Sequence, residues 1–165
     1  VKLSRMESGI IAVHSEDTTI TQMLESIQQQ VSVKAREKNI TLSLCDTDLH
    51  VRCDSKWTVE ALGNIVDNAI KYTACGGNVQ IKVEQYSFFV KIDIIDDGIG
   101  IEKEEIPKIF GRFYRSLSVA DQPGVGIGLF LAREIIQAQK GYIKVTSKRG
   151  KGSTFSVFLP ITKKE

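Results

Sequence analysis

Asp54-Ser55-Lys56-Trp57-Thr58-Val59-Glu60-Ala61-Leu62-Gly63-Asn64-Ile65-Val66-Asp67-Asn68-Ala69-Ile70-Lys71 is the stretch on which the fold turns. Asp54 is a good N-cap, because its carboxylate accepts from the orphan N–H groups of a first helical turn. Behind it Trp57, Ala61, Leu62, Ile65, Ala69 and Ile70 recur at helical spacing and form one apolar face. A second stripe, Glu60, Asn64, Asn68 and Lys71, is spaced four, four and three, so these side chains point the same way. Glu or Lys would serve a solvated face better than Asn, a weak helix former. An Asn carbonyl ligates a hard cation such as Mg²⁺, and a nearby lysine meets phosphate. From this helix alone, a solvated stripe and a ligand-holding stripe stand level.

The flanking segments build a domain around that helix. On the N-terminal side a short strand is expected at 10–13, then a helix from Asp17 or Thr18 to Lys38 with Ile20, Leu24, Ile27, Val31 and Ala35 as its buried stripe. Residues 40–44 alternate as a half-buried strand, and 50–53 form another short one. On the C-terminal side Cys75-Gly76-Gly77-Asn78 is a turn before a hairpin of strands at 79–86 and 88–95. A long glycine-punctuated stretch follows, the kind of loop that serves as a lid or binding segment. A third helix is expected at 128–139, burying Leu129, Ala132, Ile135 and Ile136, with Gly141 at its C′ position. Strands at 142–147 and 153–159 close the chain. The sum predicts one two-layer α/β domain, a mixed sheet with three helices on one face.

Composition narrows the class. Of 165 residues, 42% are hydrophobic and 25% charged, an ordinary globular balance that excludes disorder, collagen and coiled-coil arrays. Lys+Arg 22 against Asp+Glu 20 leaves a net charge of +2, no electrostatic reason to expect nucleic acid. No apolar run approaches the roughly 18 residues of a membrane helix. Cys45, Cys53 and Cys75 make an odd count without metal-ligand spacing, which argues against a disulfide scaffold or zinc site and for a reducing compartment. The opening VKLSRMESG reads as a chain cut from something longer.

Three further segments carry chemistry. Asp96-Asp97-Gly98-Ile99-Gly100 follows an apolar strand, placing a carboxylate at a turn with bare backbone beside it; the alternative is a glycine turn with an Asp cap. Gly124-Val125-Gly126-Ile127-Gly128 runs into the third helix, whose N-terminal N–H groups suit an anion; the alternative is a hinge. It is neither a P-loop nor a dinucleotide fingerprint. Between them, Ile109-Phe110-Gly111-Arg112-Phe113-Tyr114-Arg115 combines aromatics that want burial with arginines that want anions.

The order of these four segments resembles the N, G1, F and G2 boxes of the sensor histidine kinase catalytic domain, in the ATPase superfamily shared with type II topoisomerases, a heat-shock chaperone and mismatch-repair ATPases. The resemblance covers about residues 10 to 161. Asn68-Ala69-Ile70-Lys71-Tyr72, Phe113-Tyr114-Arg115 and the closing Gly150-Lys151-Gly152-Ser153-Thr154-Phe155 look like the kinase branch. It implies a Bergerat-type ATP-binding fold, a two-layer sandwich with a mostly antiparallel sheet. It also implies ATP and Mg²⁺ as cofactors. Asn68 would hold the metal with Asn64 in support, Lys71 would contact phosphate, and Tyr72 would lie against base or sugar. Asp96 would take the adenine amine, Gly98 and Gly100 would admit the base, and Ile101 would line its pocket. Arg115, with Arg112, would reach the terminal phosphate. Gly124, Gly126 and Gly128, with Leu129, would form the lid and helix start, and Ser153 matches a family Ser/Thr near adenine. Glu60 sits where some relatives carry an acid or amide with a base or orienting role. Asp97 departs from a common Asn.

By the same resemblance, residues 1–9 end a phosphoacceptor and dimerisation hairpin, and 10–165 are the catalytic domain. His14 and His50 lack the family's acceptor pattern, so the acceptor histidine lies on the adjoining domain. A response-regulator receiver domain is the further partner. The fragment is expected to be cytoplasmic without membrane contact, within a bacterial homodimer anchored in the membrane. A nucleotide-binding regulatory module without transferase activity and an anti-sigma-type Ser/Thr kinase remain the alternatives.

Overall fold

The computed structural model describes residues 11–111 and 127–161. The chain enters through β1 (Glu16–Thr19) and passes directly into α1 (Ile20–Glu37). Both bounds differ from the sequence reading. Residues 11–15 form no strand, and Ile11 and Val13 instead lie partly buried against the core. Thr18 turns inward within β1, so the helix begins only at Ile20. Its buried stripe is the expected one with Met23 added. Asn39 ends it at φ 55°, and the Ile40 N–H bonds Ala35 O at 2.8 Å, closing the last turn on its own carbonyls.

β2 (Thr41–Leu44) and β3 (His50–Cys53) follow, then α2 (Ser55–Lys71). β1 and β3 pair antiparallel from Glu16↔Cys53 to Thr19↔His50 as a small separate sheet. This pairing is why the first strand lies later than expected: a four-residue strand is set by its partner. Asp54 caps α2, its Oδ1 accepting from the Trp57 N–H at 3.0 Å. β4 (Asn78–Gln85) and β5 (Phe89–Asp96) form the hairpin. A 3₁₀ turn (Ile106–Lys108) precedes Ile109 and Phe110, and α3 (Gly128–Ala138), β6 (Tyr142–Lys148) and β7 (Gly152–Pro160) complete the order.

The five-stranded sheet runs β2-β4-β5-β7-β6. Only β2–β4 is parallel; the other pairs are antiparallel. Alternation puts Val90, Ile92 and Ile94 of β5, with Phe155, Val157 and Leu159 of β7, under the helices. Ile27, Leu62, Ile65 and Ile135 meet them from above. This is the two-layer arrangement the sequence predicts. Losing Phe155, 2% exposed, would cost about 3–5 kcal/mol. The exposed Lys34–Asp67 pair at 2.7 Å contributes at most about 1 kcal/mol. Apolar burial, not surface charge, joins the layers.

The end of α3 corrects a second expectation. Lys140, not Gly141, takes the left-handed conformation, at φ 66°. The N–H groups of Lys140 and Gly141 bond Gln137 O and Ile136 O, each at 3.0 Å. Glycine is needed at 141 for space, since a Cβ there would lie 2.1 Å from Phe158 O.

Candidate functional site

α2 packs on β5, and Tyr72 at its C-cap accepts from the Ile99 N–H at 3.2 Å just beyond that strand. Asn64, Asn68 and Lys71 are half-buried on one stripe. The Asn64 amide donates to Gly128 O at 3.2 Å, which docks the start of α3 beside that stripe. Ile127 caps α3 without a side-chain hydrogen bond of its own. Lys71 Nζ lies 6.0 Å from the Tyr72 ring centroid. Glu60 is half-buried one turn before Asn64, and Leu129 half-buried at the start of α3.

Asp96 ends β5 opposite Ser153 of β7. Its Oδ1 accepts from the Gly98 N–H at 2.9 Å and the Ser153 N–H at 3.3 Å. Among the described residues both hydrogen bonds fall on Oδ1, which leaves Oδ2 as an acceptor. Burial pushes the Asp96 carboxyl above the usual range, against the opposing pull of these two N–H groups. The following turn runs close against neighbouring backbone. A Cβ on Gly98 would lie 2.4 Å from Tyr72 O. Gly100 sits at φ 73°, where a Cβ would strike Lys148 O at 2.2 Å. Asp97 spends its carboxylate on Asn78, accepting from its N–H at 2.8 Å and its amide at 3.0 Å. These bonds hold Asp97 below the usual carboxylate range, with the backbone bond the larger cause. The departure from the family Asn at 97 thus serves a clasp between the β4 and β5 ends.

Ser147 is a site residue that motif reading misses. Its Oγ accepts from the Ile101 N–H at 2.8 Å, donates to Gly152 O at 3.1 Å and lies 2.8 Å from Ser153 Oγ. It thereby ties half-buried Ile101 to the pair Asp96–Ser153. The available signal was alternation: after Ile143 and Val145 the next inward position of β6 carries a hydroxyl. Thr73 is the second, its hydroxyl donating to Ala69 O at 2.7 Å beneath Gly98.

Of the aromatic-arginine segment, Ile109 and Phe110 are buried. Phe110 meets Phe155 edge-on at 6.3 Å, and the Arg133 guanidinium lies 5.3 Å from its centroid. Arg112, Arg115, Gly124 and Gly126 lie outside the described residues. His14 donates its backbone N–H to Asp54 Oδ2 at 2.8 Å, and exposed His50 stands 3.1 Å from Asp17.

The described residues fit an adenine nucleotide: a half-buried carboxylate with an open acceptor, a glycine turn shaped by close approach, and a helix start docked on the Asn64 amide. They offer a divalent cation little beyond Asn68. Among the described residues no group of three His, Cys, Asp or Glu could hold a metal. A cation here would therefore lean on phosphate oxygens and water, as Mg²⁺ does.

The fold and site define a two-layer nucleotide-binding ATPase domain. Residues 53–163 match the histidine kinase-, DNA gyrase B- and HSP90-like ATPases, and the chain belongs to that family. It is 32% identical to sensor protein kinase PmrB of Pseudomonas aeruginosa, over 97% of this chain and 34% of that protein. It is 33% identical to sensor histidine kinase WalK of Bacillus subtilis, over 97% of this chain and 27% of that protein. Among solved structures, the mycobacterial sensor histidine kinase MprB shares the fold at TM-score 0.78 and 26% identity, covering 89% of this chain and 97% of that one. The catalytic domain of histidine kinase ThkA does so at 0.78 and 25%, covering 91% and 99%. The chain spans about a third or less of the length of these curated relatives.

Proposed function

We propose that this chain is the ATP-binding, phosphoryl-donating domain of a two-component sensor histidine kinase. The observation that carries this is Asp96: a half-buried carboxylate at a strand end, held by the Gly98 and Ser153 N–H groups, with one oxygen left among the described residues to accept the adenine amine. Gly98, Gly100 and Ile101 border the base, and Tyr72 lies against base or sugar. Asn68, supported by Asn64, takes the Mg²⁺ that neutralises phosphate charge, and Lys71 meets a phosphate. Arg112 and Arg115 serve the terminal phosphate, with Gly124, Gly126, Gly128 and Leu129 at the lid and helix start. Glu60 has an orienting role. Phosphoryl transfer needs mainly positioning and charge neutralisation, which these groups supply.

The acceptor is a histidine on an adjoining helical hairpin, of which residues 1–9 form the end; 10–165 make up the catalytic domain. A receiver-domain aspartate then takes the phosphoryl group. ThkA, whose fold this chain shares, has been solved with the response regulator TrrA. The full protein is a homodimer anchored in a bacterial membrane with this domain on the cytoplasmic side. Among the described residues no helix is long and apolar enough to cross a membrane.

Calorimetric titration with a non-hydrolysable ATP analogue, with and without Mg²⁺, tests the site. Binding that Mg²⁺ strengthens is expected, and in Asn68→Ala the Mg²⁺-dependent increment disappears. Folded protein that binds no adenine nucleotide would sink the proposal. With the hairpin domain supplied, acid-labile phosphohistidine is the expected product; nucleotide binding without it would favour a regulatory module.

A further inference from the structure

The last carbonyls of a helix need partners from beyond its ladder, and those of α2 can be followed one by one. Asn68 O accepts from the Tyr72 N–H at 3.1 Å, Ala69 O from the Thr73 hydroxyl at 2.7 Å, and Tyr72 O from the Ile99 N–H at 3.2 Å. Between them, Ile70 O and Lys71 O share one donor. The Lys38 ammonium reaches them at 2.9 and 2.8 Å. The other bond to Ile70 O, from the Thr73 N–H, is long at 3.4 Å. Lys38 is the half-buried C-cap residue of α1, far from α2 in sequence. Its own carbonyl accepts from the Gly76 N–H at 3.0 Å, so one residue holds both the end of α2 and the turn beyond it. The cation also stands at the negative end of the α2 dipole.

This clasp bears on the site through backbone. Tyr72 O packs against Gly98 and bonds Ile99, while the Gly98 N–H bonds Asp96 Oδ1. A shift at the end of α2 therefore moves the turn that orients Asp96. We propose that Lys38 is a positioning residue for nucleotide binding, setting the height of Lys71 and Tyr72 against the Gly98–Gly100 turn. The proposal rests on the nucleotide-site reading above and acts through α2, not through contact with the nucleotide. The structure supplies its own control, because Lys34 also ties α1 to α2, through Asp67 at 2.7 Å, without touching the helix end.

The test compares Lys38→Met, which keeps the stem and removes the donors, with Lys38→Arg and Lys34→Met. Lys38→Met should weaken ADP and a non-hydrolysable ATP analogue by the same factor, about ten-fold, the scale of a charge-assisted bond. Lys34→Met should stay within about two-fold, as expected of an exposed pair. Lys38→Arg, with a cation and paired donors, should stay within about three-fold. In nucleotide-free protein, amide exchange at Tyr72, Thr73 and Ile99 should speed up about ten-fold in Lys38→Met relative to Lys34→Met. Folded Lys38→Met that binds like the parent, or exchange there no faster than in Lys34→Met, overturns the proposal. A parent that binds no adenine nucleotide defeats the site reading instead, and exchange alone then judges the clasp. If Lys38→Met does not fold, Lys38→Gln takes its place in both comparisons.

Discussion

Asp96 and Asp97 are adjacent carboxylates with opposite environments, and the contrast makes a prediction about pH. Burial raises Asp96 above its ordinary value of 3.8, so its ionisation works against folding: the contribution is full below 3.8 and lost as pH rises through the folded value. Asp97 is lowered by Asn78, so its contribution is present above 3.8 and lost as pH falls through the folded value. Nucleotide-free Asp96→Asn should therefore melt no lower than the parent near neutral pH, with any gain closing as pH falls towards 3.8. Asp97→Asn should melt lower than the parent near neutral pH, with the deficit closing in acid. Melts across pH check both, and a destabilised Asp96→Asn at neutral pH would contradict the desolvation argument. In the same variant, adenine nucleotide affinity should drop by more than about ten-fold, because an amide presents a donor where a carboxylate only accepts. Unchanged affinity by calorimetry would refute the adenine contact.

At the scale of elements, α2 is fixed at both ends by residues distant in sequence. Gln139, the C-cap residue of α3, accepts from the Asp54 N–H at 2.7 Å and donates to Thr58 Oγ1 at 3.0 Å. Both partners are buried. Gln139→Ala should lower stability by about 1–3 kcal/mol, the penalty for leaving buried polar groups unpaired. Since the 17-residue α2 is about 25 Å long, nucleotide affinity at its other end should stay within about two-fold. Chemical denaturation with calorimetry checks both, and an affinity loss tracking the stability loss would show the helix ends to be coupled. These elements differed in how readable they were. α2 could be read because its cap and its period are local. β1 could not, because a short strand takes its bounds from β3. Nor could the end of α3, where Lys140 adopts the turn conformation and Gly141 is required by the approach of β7.

For the whole molecule, folding and nucleotide binding are linked. ADP at about a hundred times its dissociation constant should stabilise the domain by about 2.7 kcal/mol. For a chain of this size that raises the melting temperature by roughly 5–10 °C. A thermal melt reads this directly, and an unmoved midpoint at that excess would mean that the folded state has no site. The layers themselves were legible from sequence: helical stripes and strand alternation record which side chains leave water, and three helices over a mixed sheet are what such patterns bury. The ordered Asn, Asp-Gly and Gly-rich segments likewise carried the resemblance to the family the chain belongs to, since acceptor carboxylates, amides and bare backbone are written in residue types. Tertiary structure decided the rest. It alone brought Asp96, Ser153 and Ser147 into one hydrogen-bonded set across β5, β7 and β6, turned Asp97 to Asn78, and set Lys38 beneath the end of α2. These partners lie between six and 57 residues apart. No local period encodes such distances, and only closure of the sheet and packing of the helices makes them neighbours.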